Sequence, residues 1–264
     1  MKLEGKVAVV VGAGQTPGDT IGNGRAISLL LAREGASVLA VDRHLESAEE
    51  TVAMVRSEGG TAEAVRADVT NEDDCRAVAE AVVDRFGRVD VLVNNVGIGN
   101  GDAGASGLTE EAWDLIMDVN LKGTWLMCKH VVPLLRSQGA GAVVNVSSAA
   151  AVCSTPTLAY KTSKAGVEAL THQLAMSSAG RGVRVNAVAP GLMDTPMAIE
   201  SLAAAFGVDR DELRRQRDAM VPLGKRMGTA WDVAKAVLFL SCDDAAFITG
   251  VVLPVDGGQH ARIG

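Results

Sequence analysis

The sequence predicts an α/β fold: a doubly wound, three-layer sandwich with a central parallel sheet of about seven strands. Three observations predict it. Short β-branched runs alternate with longer helix-period segments from end to end. The runs are continuously apolar, as strands covered on both faces are. Glycines stand where helices should stop, and repeated β–α units with right-handed crossovers wind into such a sheet.

Taken in order, residues 6–11 (KVAVVV) form the first strand, and a helix over 24–34 follows, ending at Gly35. A second strand, 37–41, leads into a helix over 45–58 that stops at Gly59. The third pair is a strand at 63–67 and a helix at 72–86, closed by Gly87. After the strand 89–93 the rhythm breaks at 97–107 (GIGNGDAGASG), whose glycines require a loop. Thr109 before Glu110 and Glu111 is an N-cap signal for one long helix over 110–135. A strand at 142–146, a helix at 158–179 and a strand at 183–188 come next. Segment 191–222 is a long excursion with a helix or two, of the kind that forms lids. A helix at 231–241 and a strand at 251–255 complete the chain.

The 264 residues are 48% hydrophobic, enough for a substantial core, and no composition shift divides them. One dinucleotide-binding and catalytic unit over 1–264 is expected, with a substrate-side lid at about 191–222. A net charge of -7 argues against a nucleic-acid partner. Cys75, Cys128, Cys153 and Cys242 form no CxxC pair, and the four histidines show no metal-ligand spacing, so no metal is expected. No run approaches the roughly 18 unbroken apolar residues of a membrane span, and MKLEGK runs directly into a strand. A cytoplasmic protein is expected.

Glycines between the first strand and first helix let a backbone approach a pyrophosphate, whose charge the helix N-terminus attracts. Val11-Gly12-Ala13-Gly14, ahead of Gly24-Arg25, fits that pattern. Asp42 closes the second strand, where a carboxylate accepts from both ribose hydroxyls and repels a 2′-phosphate. That favours NAD as cofactor, although Arg43 beside it could hold such a phosphate. The alternative for Asp42 is a cap on the following helix. These features make the expected fold Rossmann-like.

Tyr160 and Lys164 stand at i and i+4 of a helical pattern and share a face. A free phenol ionises near pH ~10, and a nearby ammonium would stabilise the phenolate. Tyr160 is the only tyrosine.

Across nearly its whole length the chain resembles the short-chain dehydrogenase/reductase family. The resemblance is carried by Gly12 and Gly22-Asn23-Gly24, Asp68-Val69, Asn94-Asn95-Val96-Gly97, Asn120, Ser147-Ser148, Tyr160-Lys161-Thr162-Ser163-Lys164, Asn186, Pro190-Gly191 with Thr195, and Val255-Asp256-Gly257-Gly258. It implies that Tyr160 is the general acid/base and that Lys164 lowers its pKa and holds the nicotinamide ribose. A serine of the Ser147-Ser148 pair would hydrogen-bond the substrate oxygen. Asn120 would kink its helix and hold a relay water. Asp68 and Val69 would meet the adenine, Asn94 the adenosine side, and Thr195, after Pro190, the nicotinamide amide.

Two departures stand out. The first glycine spacing is lengthened by an insertion within 13–21. Gly22 and Gly24 keep the helix in register as second and third glycines, with Gly14 and Gly18 as rivals for the second. Counting back from Tyr160 selects Ser147, whereas aligning the strand end selects Ser148. Strand geometry is less elastic than a loop, so Ser148 is the choice.

The expected activity is hydride transfer between NAD(H) and a small-molecule secondary alcohol or ketone. The pocket is drawn from 98–107, 149–158 and 192–222, including Leu192, Met193, Met197, Leu202 and Phe206. Arg210, Arg214, Arg215 and Arg217 read as a solvated helix face. Two alternatives remain: a carrier-linked 3-oxoacyl reductase using NADPH, and a non-catalytic NAD-sensing regulator. The resemblance also implies a homo-oligomer, a tetramer in the usual case.

Overall fold

The computed structural model describes residues 1–153 and 155–262, with the Phe206 side chain outside that description. Seven parallel strands form the sheet: β1 (Val7–Val11), β2 (Ser37–Asp42), β3 (Ala62–Arg66), β4 (Val91–Asn94), β5 (Gly141–Val146), β6 (Val183–Pro190) and β9 (Val252–Val255). Their order is β3-β2-β1-β4-β5-β6-β9. A two-stranded ladder of β7 (Met193–Asp194) and β8 (Gly228–Thr229) lies outside it.

The apolar strand runs have the consequence that parallel pairing demands. Alternate β1 residues go to opposite faces, because side chains alternate across a strand. Ala8 and Val10 join Ile27 and Leu31 of α1 (Asn23–Arg33), Val52 and Val55 of α2 (Leu45–Ser57), and Val233 and Val237 of α9 (Ala230–Ser241). Val7, Val9 and Val11 instead join Val78 and Val82 of α3 (Glu72–Phe86) and Met127, Val131 and Leu135 of α5 (Gly123–Gln138). Each face buries its own helix layer. Asn186, fully buried in β6, joins the last strand by donating to Ile248 O at 2.9 Å and accepting from Val251 N at 3.1 Å.

Two expected features differ. The helix foreseen over 110–135 is α4 (Glu110–Met117), a π-helical turn (Asp118–Lys122) and α5. The wider turn surrounds buried Asn120, whose side chain is fastened to the backbone of Ile98. The excursion after β6 holds α7 (Pro196–Phe206) and α8 (Arg210–Met220), on which Arg210 and Arg215 are solvated as expected while Arg214 and Arg217 are only partly exposed. Arg210 pairs with Asp19 and Glu200, Arg214 turns in to Asp194, and burial pushes the Arg217 guanidinium down.

Because β1 lies between β2 and β4, the strand order reverses there, opening a crevice at the strands' carboxyl ends. The first βα turn is closed by backbone contact. Gly12 has φ +76, and a Cβ on Gly24 would lie 1.8 Å from Gly12 O. We expect Gly24→Ala to force that turn open at a cost of about 3 kcal/mol, lowering Tm by several degrees. Thermal melts check this; a wild-type melt contradicts it.

Candidate active site

The start of α1 is suited to an anion. Its N-cap, Gly22, makes no side-chain cap and the first turn has no acidic residue, so its amides are free of competing carboxylates. Asn23 Oδ1 and Thr20 Oγ1 are buried there without a partner. These orphaned polar atoms and the Gly12–Gly24 cradle fit a bound dinucleotide. Of the three rival glycines, Gly22 is the one at the helix start. Gly14 packs against Ser47 and Asp42, and Gly18 against Pro196 and Glu200 of α7.

The insertion folds along α2. Gly14 N donates to Asp42 Oδ2 at 3.0 Å, Gln15 N to Ser47 Oγ at 2.9 Å, and Gly22 N to Gln15 Oε1 at 2.8 Å. Asp42 Oδ1 also accepts from His44 N at 3.0 Å, immediately before α2. Asp42 stands at the end of the strand as expected, but the N-cap of α2 is His44 and no side chain caps that helix, so the capping alternative is not realised. Two of the four acceptor sites of the carboxylate are taken.

At the next strand end, hydrogen bonds from the Thr70 amide and hydroxyl hold Asp68 below the usual carboxylate range. Val69 turns its side chain inward against Gly123. Asn94 requires a correction. Its side chain is buried, donating to Asn145 Oδ1 at 2.9 Å and Cys128 Sγ at 3.4 Å, beneath the sheet. The neighbouring Asn95 faces the glycine turn, with Nδ2 donating to Gly12 O at 2.9 Å. Side-chain alternation at the end of β4 turns Asn94 away from the glycine turn and Asn95 toward it.

Helix α6 (Leu158–Ala179) brings Tyr160 and Lys164 together. The Lys164 ammonium is 2% exposed, donates to Val146 O at 2.9 Å and Val96 O at 3.3 Å, and lies 5.8 Å from the Tyr160 ring centroid. Burial lowers its pKa to about 8. Burial likewise raises the Tyr160 pKa, while the Ser148 hydroxyl beside it pulls the other way. Burial therefore outweighs the expected lowering of the phenol. Ser147 is directed elsewhere: its Oγ donates to Glu168 Oε1 at 2.8 Å. Ser148 is the serine at Tyr160, as strand alignment required.

The Asn120 side chain joins the loop to α6. Its Oδ1 accepts from Ile98 N at 2.8 Å; its Nδ2 donates to Ile98 O at 2.9 Å and Ser163 Oγ at 3.0 Å. The helix break is present as the π turn. Gly97 fills the space between, where a Cβ would meet Lys164 Nζ at 3.0 Å.

Pro190 is buried at the end of β6, and Thr195 is the 5% exposed N-cap of α7. The pocket wall differs in part from the one expected: Met193 is buried against Gly228, while Met197 is half-exposed. Phe206 lies outside the described side chains. Cys75 and Cys128, pushed up to about 12 by burial, are inert thiols. Two groups escaped sequence reasoning. Lys161 Nζ donates to Ala150 O at 3.2 Å and Cys153 O at 2.6 Å, fixing the turn after Ser148. Asp102 reaches the first turn of α6. No local sequence signal marks either, since their partners are set by tertiary contact.

A family model described as enoyl-(acyl carrier protein) reductase matches residues 19–260. The chain is 40% identical to the 3-oxoacyl-[acyl-carrier-protein] reductase FabG of Thermotoga maritima, over 98% of this chain and 99% of that protein. It is 41% identical to 2-(R)-hydroxypropyl-CoM dehydrogenase of Xanthobacter autotrophicus, over 97% of this chain and 99% of that one. The crystal structure of levodione reductase superposes with a TM-score of 0.93 at 32% identity, covering 99% of this chain and 100% of the other.

Lys164 gives a pH prediction. Its folded pKa, about 8, lies below the ordinary 10.5. Between those values the unfolded chain binds more protons, so stability rises with pH. The penalty is full below about pH 8 and gone above about pH 10.5, worth about 3 kcal/mol. In urea unfolding, wild type should gain about that much on Lys164→Met between those limits. A pH-independent difference contradicts this.

Proposed function

Because the chain belongs to the short-chain dehydrogenase/reductase family of oxidoreductases, we propose that it interconverts a secondary alcohol and a ketone with NAD(H). The single observation carrying this reading is the convergence of Ser148, Tyr160 and Lys164 at the end of the crevice.

Gly12, Gly22 and Gly24 with the α1 amides would hold the pyrophosphate, and Asp42 the adenine ribose. Asp68 and the Val69 backbone would border the adenine. Pro190 and Thr195 would border the nicotinamide, with Lys164 on its ribose. When bound, the dinucleotide supplies or accepts the hydride. The chain handles the proton. Tyr160, with its pKa raised by burial, is a neutral phenol at pH 7 and can give its proton to the oxygen of a ketone being reduced. In the reverse direction the alcohol proton returns to the phenolate. Ser148 donates to the same substrate oxygen and stabilises its developing negative charge. Asn120 positions the loop at Ile98 and acts through it rather than on substrate.

NAD is favoured over NADPH by the Asp42 carboxylate, which would meet a 2′-phosphate with like charge. The second reading, a carrier-linked 3-oxoacyl reductase, is favoured by similarity to the Thermotoga maritima protein. Saturation with each dinucleotide separates the two: NAD(H) preference is expected, and NADPH preference would move the carrier-linked reading ahead.

The proposal includes one unit over 1–264 with a lid near 191–222, a cytoplasmic location supported by four free cysteines, and a homotetramer. Exposed Trp125, Met176 and Phe247 support burial between copies. Among the described residues, no helix is long and apolar enough to cross a membrane.

Tyr160→Phe tests the chemistry. Turnover should fall by roughly 10³-fold, the scale of acid–base catalysis, with NAD affinity unchanged within about twofold because the cradle lies elsewhere. Undiminished turnover would remove Tyr160 from the mechanism.

A further inference from the structure

Helix α6 begins at Leu158, so Tyr160 lies in its first turn, where backbone amides have no intrahelical acceptor. The residue in the N-cap position, Thr157, gives no side-chain cap; its hydroxyl is paired with Thr155. The cap comes instead from the loop after β4. Asp102 Oδ1 accepts from Leu158 N and Ala159 N, each at 3.1 Å, and Oδ2 accepts from Tyr160 N at 2.7 Å. The same carboxylate takes Ala103 N at 2.8 Å, and Ala103 O accepts from Leu158 N at 3.1 Å. Only an ionised carboxylate offers acceptors alone, on two oxygens, with the charge a helix N-terminus favours.

We infer that Asp102 is a positioning residue for Tyr160, fixing the first turn of α6 to the 97–107 loop. This deepens the proposed function and rests on Tyr160 being its acid/base. The loop faces the reacting side of the site: a Cβ on Gly99 would lie 3.6 Å from the Tyr160 ring. At its start, Asn120 clamps Ile98 and also donates to Ser163, whose hydroxyl donates to Tyr160 O at 2.8 Å. The loop is therefore held to the tyrosine turn at its start and at its middle. The phenol keeps its place through a cap made by the wall against which a substrate would pack.

The lone tyrosine allows a direct test. With tyrosine labelled by ¹³C at Cζ, the wild-type protein should give one sharp resonance. Asp102→Ala should broaden or split it as the first turn frays. In the same variant, turnover at saturating substrate should fall at least about tenfold, the scale of an ångström-level misplacement, while NAD affinity stays within about twofold of wild type. Thr157→Ala should change neither resonance nor turnover. If Asp102→Ala does not fold, Asp102→Asn serves. It loses one acceptor oxygen, and a smaller broadening with about threefold slower turnover is expected, since one cap bond of several is lost. A sharp wild-type resonance in the Asp102 variant overturns the inference, as does a Thr157→Ala effect equal to it. A broadened resonance in Asp102→Ala, with a wild-type protein inactive on alcohols and ketones, would uphold the positioning and defeat the oxidoreductase reading.

Discussion

Lys164 Nζ is held out of water by two carbonyls, Val96 O just after β4 and Val146 O at the end of β5. A buried ammonium is tolerated only where fixed acceptors replace its hydration. Here they come from neighbouring parallel strands whose register sets their spacing. The rest of the site is arranged around that constraint. Gly97 must lack a side chain beside the amine, Ser148 follows the strand that supplies one carbonyl, and Tyr160 lies one helical turn before the lysine. Moving any of these elements strands a charge rather than loosening a contact, so the Tyr160–Lys164 face of α6 is tied to the carboxyl ends of the central strands β4 and β5.

Regular elements were legible in the sequence because parallel strands buried on both faces leave unbroken apolar runs, as in VAVVV of β1. The choice of Ser148 was legible for a related reason: alternation along β5 continues into the residues after it and sends Ser147 toward Glu168. The same alternation turns the Asn94 side chain away from the glycine turn, because both asparagines satisfy the motif and only the three-dimensional strand end assigns their faces. The π turn at Asn120 was not legible, since it depends on Ile98 in a loop without periodicity. Inward-turned Arg214 and Arg217 were obscured by the charge run that contains them.

The insertion at 13–21 shows how a lengthened turn is accommodated. Its first half is bonded to Asp42 and α2, while Gly18 and Asp19 meet α7 and Arg210 of α8. The helix start stays in register because Gln15 accepts from Gly22 N across the base of the bulge. The insertion is thus in direct contact with α7 and α8, with Arg210 joining Asp19 to Glu200.

In the free chain both ionisable partners are driven toward neutrality: burial raises Tyr160 and lowers Lys164. Under the proposed mechanism the Tyr160 shift must reverse for proton exchange near neutral pH, and a positively charged nicotinamide in the crevice would favour the phenolate. Ultraviolet difference titration of the single tyrosine, with and without NAD, measures this directly. The account predicts a midpoint above the ordinary value of 10.0 for the free protein and one well below it with NAD bound. The same midpoint in both conditions would contradict Tyr160 as the acid/base.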